Sequence, residues 1–220
     1  MTNSSTSTNS INFSKIKIDQ LLLDFGLKQT NKLIFPVSCF DLVKNSTTNE
    51  LLQLQNLIQK SQNQIQYWNE QEIIINLIAP ILAIADLNGD NYKTFFERQI
   101  SSTVQNKKLT GTVDMMVAFG IHNPIKPYFF IQEYKRSKLG ADSDPLAQLL
   151  AEMLVAQQIN QITTVLGCYV IGKDWFFVIL NQLEFTQTKS FDATDIQELK
   201  TILDYLKSVK QYIEEQIKPN

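Results

Sequence analysis

Residues 128–135 read Tyr128-Phe129-Phe130-Ile131-Gln132-Glu133-Tyr134-Lys135. Aromatic and β-branched side chains fall on both parities of this run. That pattern predicts a strand covered on both faces, near the middle of a sheet. Two charges interrupt it. Glu133 and Lys135 are one residue apart, and side chains alternate along a strand, so both point to the same face. Charges inside so apolar a strand need a reason, because burial is costly unless they are paired or bind a cation.

Upstream, residues 94–104 and 109–119 read as two more strands, joined by the polar turn 105–108. The second carries Asp114 among Val113, Met115 and Met116. Antiparallel pairing of this strand with 128–135 would bring Asp114 close to Glu133. Further upstream, Asn69 can cap a helix that starts Glu70-Gln71-Glu72, with acids where the helix dipole favours them. Helical spacing puts Glu70 on one face with Ile74, Leu77 and Ile81, the stripe that must meet the sheet. Glu72 falls on another face with Ile75, Asn76 and Ala79. Pro80 lies inside this helix and predicts a kink.

Downstream, Asp144-Pro145 is a helix start, and the helix runs through 146–159. Residues 163–171 and 175–180 read as strands joined by the tight link Gly172-Lys173-Asp174. A long helix spans 192–217, with Ile196, Leu199, Leu203, Leu206, Ile213 and Ile217 on one stripe. Packing on the sheet or the N-terminal helices would cover that stripe; a helix-mediated homodimer is the alternative. The order gives an α/β protein whose mixed sheet is flanked by helices, with an α-β-β-β-α-β core. The expected organisation is a disordered start at 1–10, a helical appendage at 11–67, the core at 68–190 and the terminal helix at 191–220.

Composition narrows the chemistry. The 220 residues contain two cysteines and one histidine, too few for a disulfide framework, a multi-cysteine zinc site or a multi-histidine centre. Seven glycines leave little room for phosphate-cradling loops. A net charge of −2 argues against coating nucleic acid by bulk charge, but not against a local basic site. No apolar run approaches the roughly 20 residues needed to cross a bilayer. The Ser/Thr/Asn-rich start lacks the parts of a signal peptide, so the expectation is a cytoplasmic protein without membrane contact.

The acids that remain, Glu70, Asp114 and Glu133, are oxygen donors suited to a hard cation such as Mg²⁺ or Mn²⁺. A lysine beside them can hold a water and offset charge on a phosphate. Together these make a recipe for metal-assisted phosphodiester hydrolysis. Arg136 and Lys138 extend Lys135 into a short basic cluster able to touch phosphates.

Val113-Asp114, followed eighteen residues later by Glu133-Tyr134-Lys135, resembles the signature of the PD-(D/E)xK nuclease superfamily, with Val113 where the family name has proline. The stretch from Asn69-Glu70 to Ile81-Leu82 is similar to the first core helix of its restriction-endonuclease-like members. The resemblance covers roughly residues 69–180. It implies a Mg²⁺-dependent endonuclease acting on nucleic acid, DNA ahead of RNA, and leaving a 5′-phosphate and a 3′-hydroxyl. Asp114, Glu133 and Glu70 would hold the metal and Lys135 would orient the water. Gln148 matches a glutamine that some members carry on the next helix. The superfamily also holds inactive modules, so a non-catalytic domain binding nucleic acid or a protein partner is the alternative.

Overall fold

The apolar run that contains Glu133 lies in the middle of the sheet. The computed structural model describes residues 10–31, 46–136, 140 and 143–217. The elements are, in order, β1 (Ser10–Asn12), α1 (Ile18–Asp24), β2 (Lys28–Gln29), α2 (Thr48–Ser61), α3 (Glu70–Ile73), α4 (Ala79–Ala85), β3 (Tyr92–Val104), β4 (Lys107–Phe119), β5 (Ile125–Lys135), α5 (Pro145–Asn160), β6 (Thr164–Ile171), β7 (Asp174–Asn181), β8 (Glu184–Gln187), β9 (Phe191–Asp192) and α6 (Ile196–Ile217). They form one mixed nine-stranded sheet flanked by helices, in the order β1-β4-β5-β6-β7-β8-β2, with β3 also on β4 and β9 also on β7. β5 and β6 run parallel, with α5 as the crossover between them, and β6 returns antiparallel as β7. Gly172 makes that tight link at φ 61°, a conformation open to glycine at no steric cost.

Each face of the sheet buries its own core. One is built from α1, α5 and the residues around Phe13; the other from α2, α4 and α6. The helix that opens at Glu70 is not simply kinked at Pro80. Between α3 and α4 it widens into a π-turn at Ile74–Ile78, where the N–H of Ala79 reaches back to the carbonyl of Ile74. Proline has no N–H to donate and its ring crowds the carbonyl four residues earlier. The wider turn accommodates both within a continuous helix, and keeps Ile73, Leu77, Ile78 and Ile81 buried.

The N-terminal region differs from the expected helical appendage. β1 pairs in parallel with β4 on the edge that β5 also uses, and β2 pairs in parallel with β8, so this segment adds one strand inside the sheet and one at its β8 end. Phe13 anchors it. Its ring lies where a β-carbon on Gly111 of β4 would sit, 2.4 Å from Cδ2. Gly111→Ala is therefore expected to displace a buried ring and cost about 1–3 kcal/mol, read as a lower urea midpoint at unchanged slope. An unchanged midpoint would mean that Phe13 is not seated there.

The terminal helix begins later than expected, at Ile196, because 184–187 and 191–192 extend the sheet as β8 and β9. Leu199, Leu203, Leu206 and Ile213 of α6 are buried within this chain, where α6 packs against α2 and α4. The stripe that could have formed a dimer seam is thus covered by the chain's own helices. Among the described residues no helix is long and apolar enough to cross a membrane.

Candidate functional site

The site lies where β4 and β5 part. β3 follows one edge of β4 along its whole length. The other edge is shared: β1 pairs at Lys108–Thr110, and β5 pairs from Met115 onward. Between these two stretches no strand among the described residues pairs with β4 on that side, and Asp114 sits at the boundary. The β4–β5 ladder ends at Met115 opposite Gln132. The N–H of Tyr134, which would otherwise continue it, donates to Asp114 Oδ2 at 2.6 Å. A side chain thus takes over where the backbone pairing stops.

An ideal strand would send Asp114 to one face. Here β3 and β4 keep constant register from Tyr92–Phe119 to Val104–Lys107, but the position that sets Glu97 opposite Asp114 is unpaired. Glu97 is left-handed, at φ 52°. The side-chain alternation slips at this point. Leu109 and Val113 join the core under α5, and so do Met116 and Ala118, although the two pairs have opposite parity. The slip lets Asp114 reach the backbone of β5. A left-handed glutamate is uncommon, and such conformations concentrate at functional sites. Nothing in the residue type signals it, so the sequence reading missed it.

Glu133 is fully buried on the face covered by α5, and Lys135 donates to its Oε1. Glu133 Oε2 has no hydrogen-bonding partner among the described residues. Burial, followed by the charge of Asp114 within hydrogen-bonding reach, pushes the Glu133 carboxyl up to about 8. Burial raises Asp114 as well, against the opposing pull of the Tyr134 N–H and Lys135. For Lys135, burial works toward the neutral amine, but Glu133 outweighs it and keeps the ammonium favoured. The strand pair predicted from spacing is therefore a buried, hydrogen-bonded acid–lysine pair, with Asp114 beside it.

The other predicted residues fall into place unevenly. Glu70 is half-buried at the start of α3; its charge is felt at Asp114 and Lys135, but no hydrogen bond or ion pair joins it to them among the described residues. Glu72 closes the helix cap with Asn69 instead, accepting from its N–H at 2.7 Å. Gln148 points along α5 to Glu152, 3.5 Å away. Arg136 is exposed just past β5. Lys138 lies outside the described residues.

Glu152 was not anticipated. It is fully buried, and its carboxyl is raised well above the ordinary range by burial, then by Glu133 and Asp114. The signal was present in the sequence: Glu152 is the one charged residue in the helix Pro145–Asn160. A lone acid in a helix buried nearly all round should prompt a search for what it faces.

Among the described residues no group of three or more His, Cys, Asp or Glu is arranged to hold a metal ion. What Asp114 and Glu133 offer is a two-carboxylate site with an unpartnered buried oxygen. That donor set fits Mg²⁺, which commonly takes one or two protein carboxylates and completes its shell with waters and substrate phosphate.

No family model matches the sequence, and no curated protein matches it. A solved structure, "Crystal structure of SSO0001", is 13% identical over 80% of this chain and 82% of that one, with a TM-score of 0.23. A likeness that slight bears on neither fold nor activity.

Proposed function

We propose that this chain is a metal-dependent nuclease-like protein that hydrolyses phosphodiester bonds, with DNA as the preferred substrate. The observation that carries the reading is the buried Glu133–Lys135 pair at the end of β5 with Asp114 turned toward it across the parted strands. Two carboxylates forced together in a dry site repel each other, and a divalent cation offsets that repulsion.

Asp114 and Glu133 would hold Mg²⁺ or Mn²⁺. When bound, the metal supplies Lewis-acid polarisation of the scissile phosphate and lowers the pKa of a coordinated water. The chain's own residues do the rest. The Tyr134 N–H fixes the Asp114 carboxylate, which leaves its other oxygen free to face the site. Glu133 fixes the Lys135 ammonium, which orients the attacking water and offsets charge developing on the phosphate. Arg136 is exposed beside them, where it can contact a neighbouring phosphate. Glu70, whose charge is felt at Asp114 and Lys135, would act through a water.

The test is a cleavage panel of single- and double-stranded DNA and RNA with Mg²⁺, Mn²⁺ or EDTA, run on wild type and Lys135→Ala. Cleavage that requires the cation and falls about 10²–10³-fold in Lys135→Ala is expected. Cleavage that Lys135→Ala leaves intact would sink the reading. Tight nucleic-acid binding without any cleavage would favour the non-catalytic alternative.

A further inference from the structure

Two buried acids stand outside the proposed reaction: Asp204, which is paired with Lys200, and Glu152, which has no ion-pair partner among the described residues. Glu152 has no exposed surface. Its Oε1 is approached by Gln148 Nε2 at 3.5 Å, a long contact, and its Oε2 has no partner among the described residues. It sits on α5, which packs over β4 and β5, and Glu133 and Asp114 are the charges that weigh on it most. An orphaned carboxylate behind two other acids is expensive to maintain unless something positive, or a polarised water, stands between them. Once ionised, Asp114, Glu133 and Glu152 against Lys135 would carry two net negative charges, which one divalent cation would offset. No three of these acids are close enough to ligate one ion together. Mg²⁺ gives up its waters reluctantly, so an acid just outside the ligand set still has coordinated waters to accept from.

We infer that Glu152 is a positioning residue for the metal site, its unpartnered oxygen accepting from a cation-bound water, with Gln148 holding its other oxygen. The inference rests on the metal reading of Asp114 and Glu133. It assigns the helix-borne acid of the site to α5, with Glu70 of α3 in a lesser place. Outer partners of this kind set metal affinity by about 10–100-fold.

The experiment is a calorimetric titration of the full chain with Ca²⁺ and with Mn²⁺, without nucleic acid. The variants are Glu152→Gln, Glu152→Met, Glu70→Gln and Asp114→Asn. Proton relaxation of water by bound Mn²⁺ is read in parallel. Replacing a buried charge with an amide or an apolar chain of similar size is compatible with folding, and circular dichroism checks this. Expected are affinities about 10–100-fold weaker in both Glu152 variants, a smaller loss in Glu70→Gln, and altered water relaxation in Glu152→Gln. Wild-type-like affinity and relaxation in both Glu152 variants, while Asp114→Asn loses the ion, would overturn the role of Glu152 alone. A wild-type protein that binds neither cation would overturn the metal reading and this inference with it.

Discussion

Asp114→Asn is expected to remove cleavage and leave the fold intact, whereas Asp114→Ala removes cleavage and weakens the fold as well. The difference follows from two separate duties of one side chain. Its charge faces Glu133, where a cation would bind, and one of its oxygens accepts the Tyr134 N–H at 2.6 Å where the β4–β5 ladder stops. Asparagine keeps an acceptor for that N–H and loses the charge. Cleavage should fall by about 10³-fold or more, because the metal loses a ligand and the phosphate loses its counter-field. Melting should stay level or rise slightly, since the repulsion with Glu133 is relieved. Alanine leaves a half-buried N–H without its partner, at about 1–3 kcal/mol, or a fall of roughly 2–12 °C for a chain of this length. Paired cleavage assays and thermal melts decide the matter. Equal melting of the two variants would mean that Asp114 does not carry the backbone junction.

The second large effect is on stability against pH in the absence of metal. The Glu133 carboxyl is raised from an ordinary 4.5 to about 8, chiefly by burial and then by Asp114, and Glu152 is raised in the same direction. Between those two values the folded chain keeps a proton that the unfolded chain has released. Folding is therefore linked to proton uptake, and stability falls as pH rises through this window. For Glu133 the slope approaches about 1.4 kcal/mol per pH unit, so the loss between pH 5 and 8 should reach about 2–4 kcal/mol. The surface acids held low by lysines, such as Asp86 by Lys210 and, against its burial, Glu50 by Lys207, have their windows below their ordinary values of 3.8 and 4.5 and do not mask it. Urea unfolding in EDTA at pH 5, 6, 7 and 8 measures the slope, and Glu133→Gln should make it shallower. Millimolar Mg²⁺ should restore stability at pH 8, because it replaces the proton as the positive partner. Stability that holds level across this range, or a Glu133→Gln variant with the same slope as wild type, would show that the site is not as dry as its burial implies.

Much of the candidate site was legible because it depends on local periodicity. Alternation along one strand is enough to put Glu133 and Lys135 on one face, whatever surrounds the strand. An apolar run on both parities is enough to place that strand inside a sheet. The helix start at Asn69 and the one at Asp144 follow from capping chemistry, and Asp144 does accept from the Ala147 N–H at 3.1 Å. The same periodicity misplaces what depends on partners. The helical count that put Ile74, Leu77 and Ile81 on one stripe takes no account of the π-turn that begins at Ile74, beside which Ile73 and Ile78 are buried as well. The short strands β1, β2, β8 and β9 have too few residues to show alternation, and exist because a neighbouring edge offers hydrogen bonds.

By itself, then, the sequence determined the α/β class, the central strand, and the pairing of one acid with one lysine on it. These follow from rules that act within a dozen residues. Only the tertiary structure decided where Asp114 points, because its partner is the Tyr134 N–H of another strand, at a position where the pairing with β3 is broken. Only the tertiary structure drew Glu152 to the same place, because α5 must cross over β5 before an acid in its buried face can meet Glu133. A charge's meaning depends on the dielectric and the other charges around it, and those are assembled by chain segments far apart in sequence.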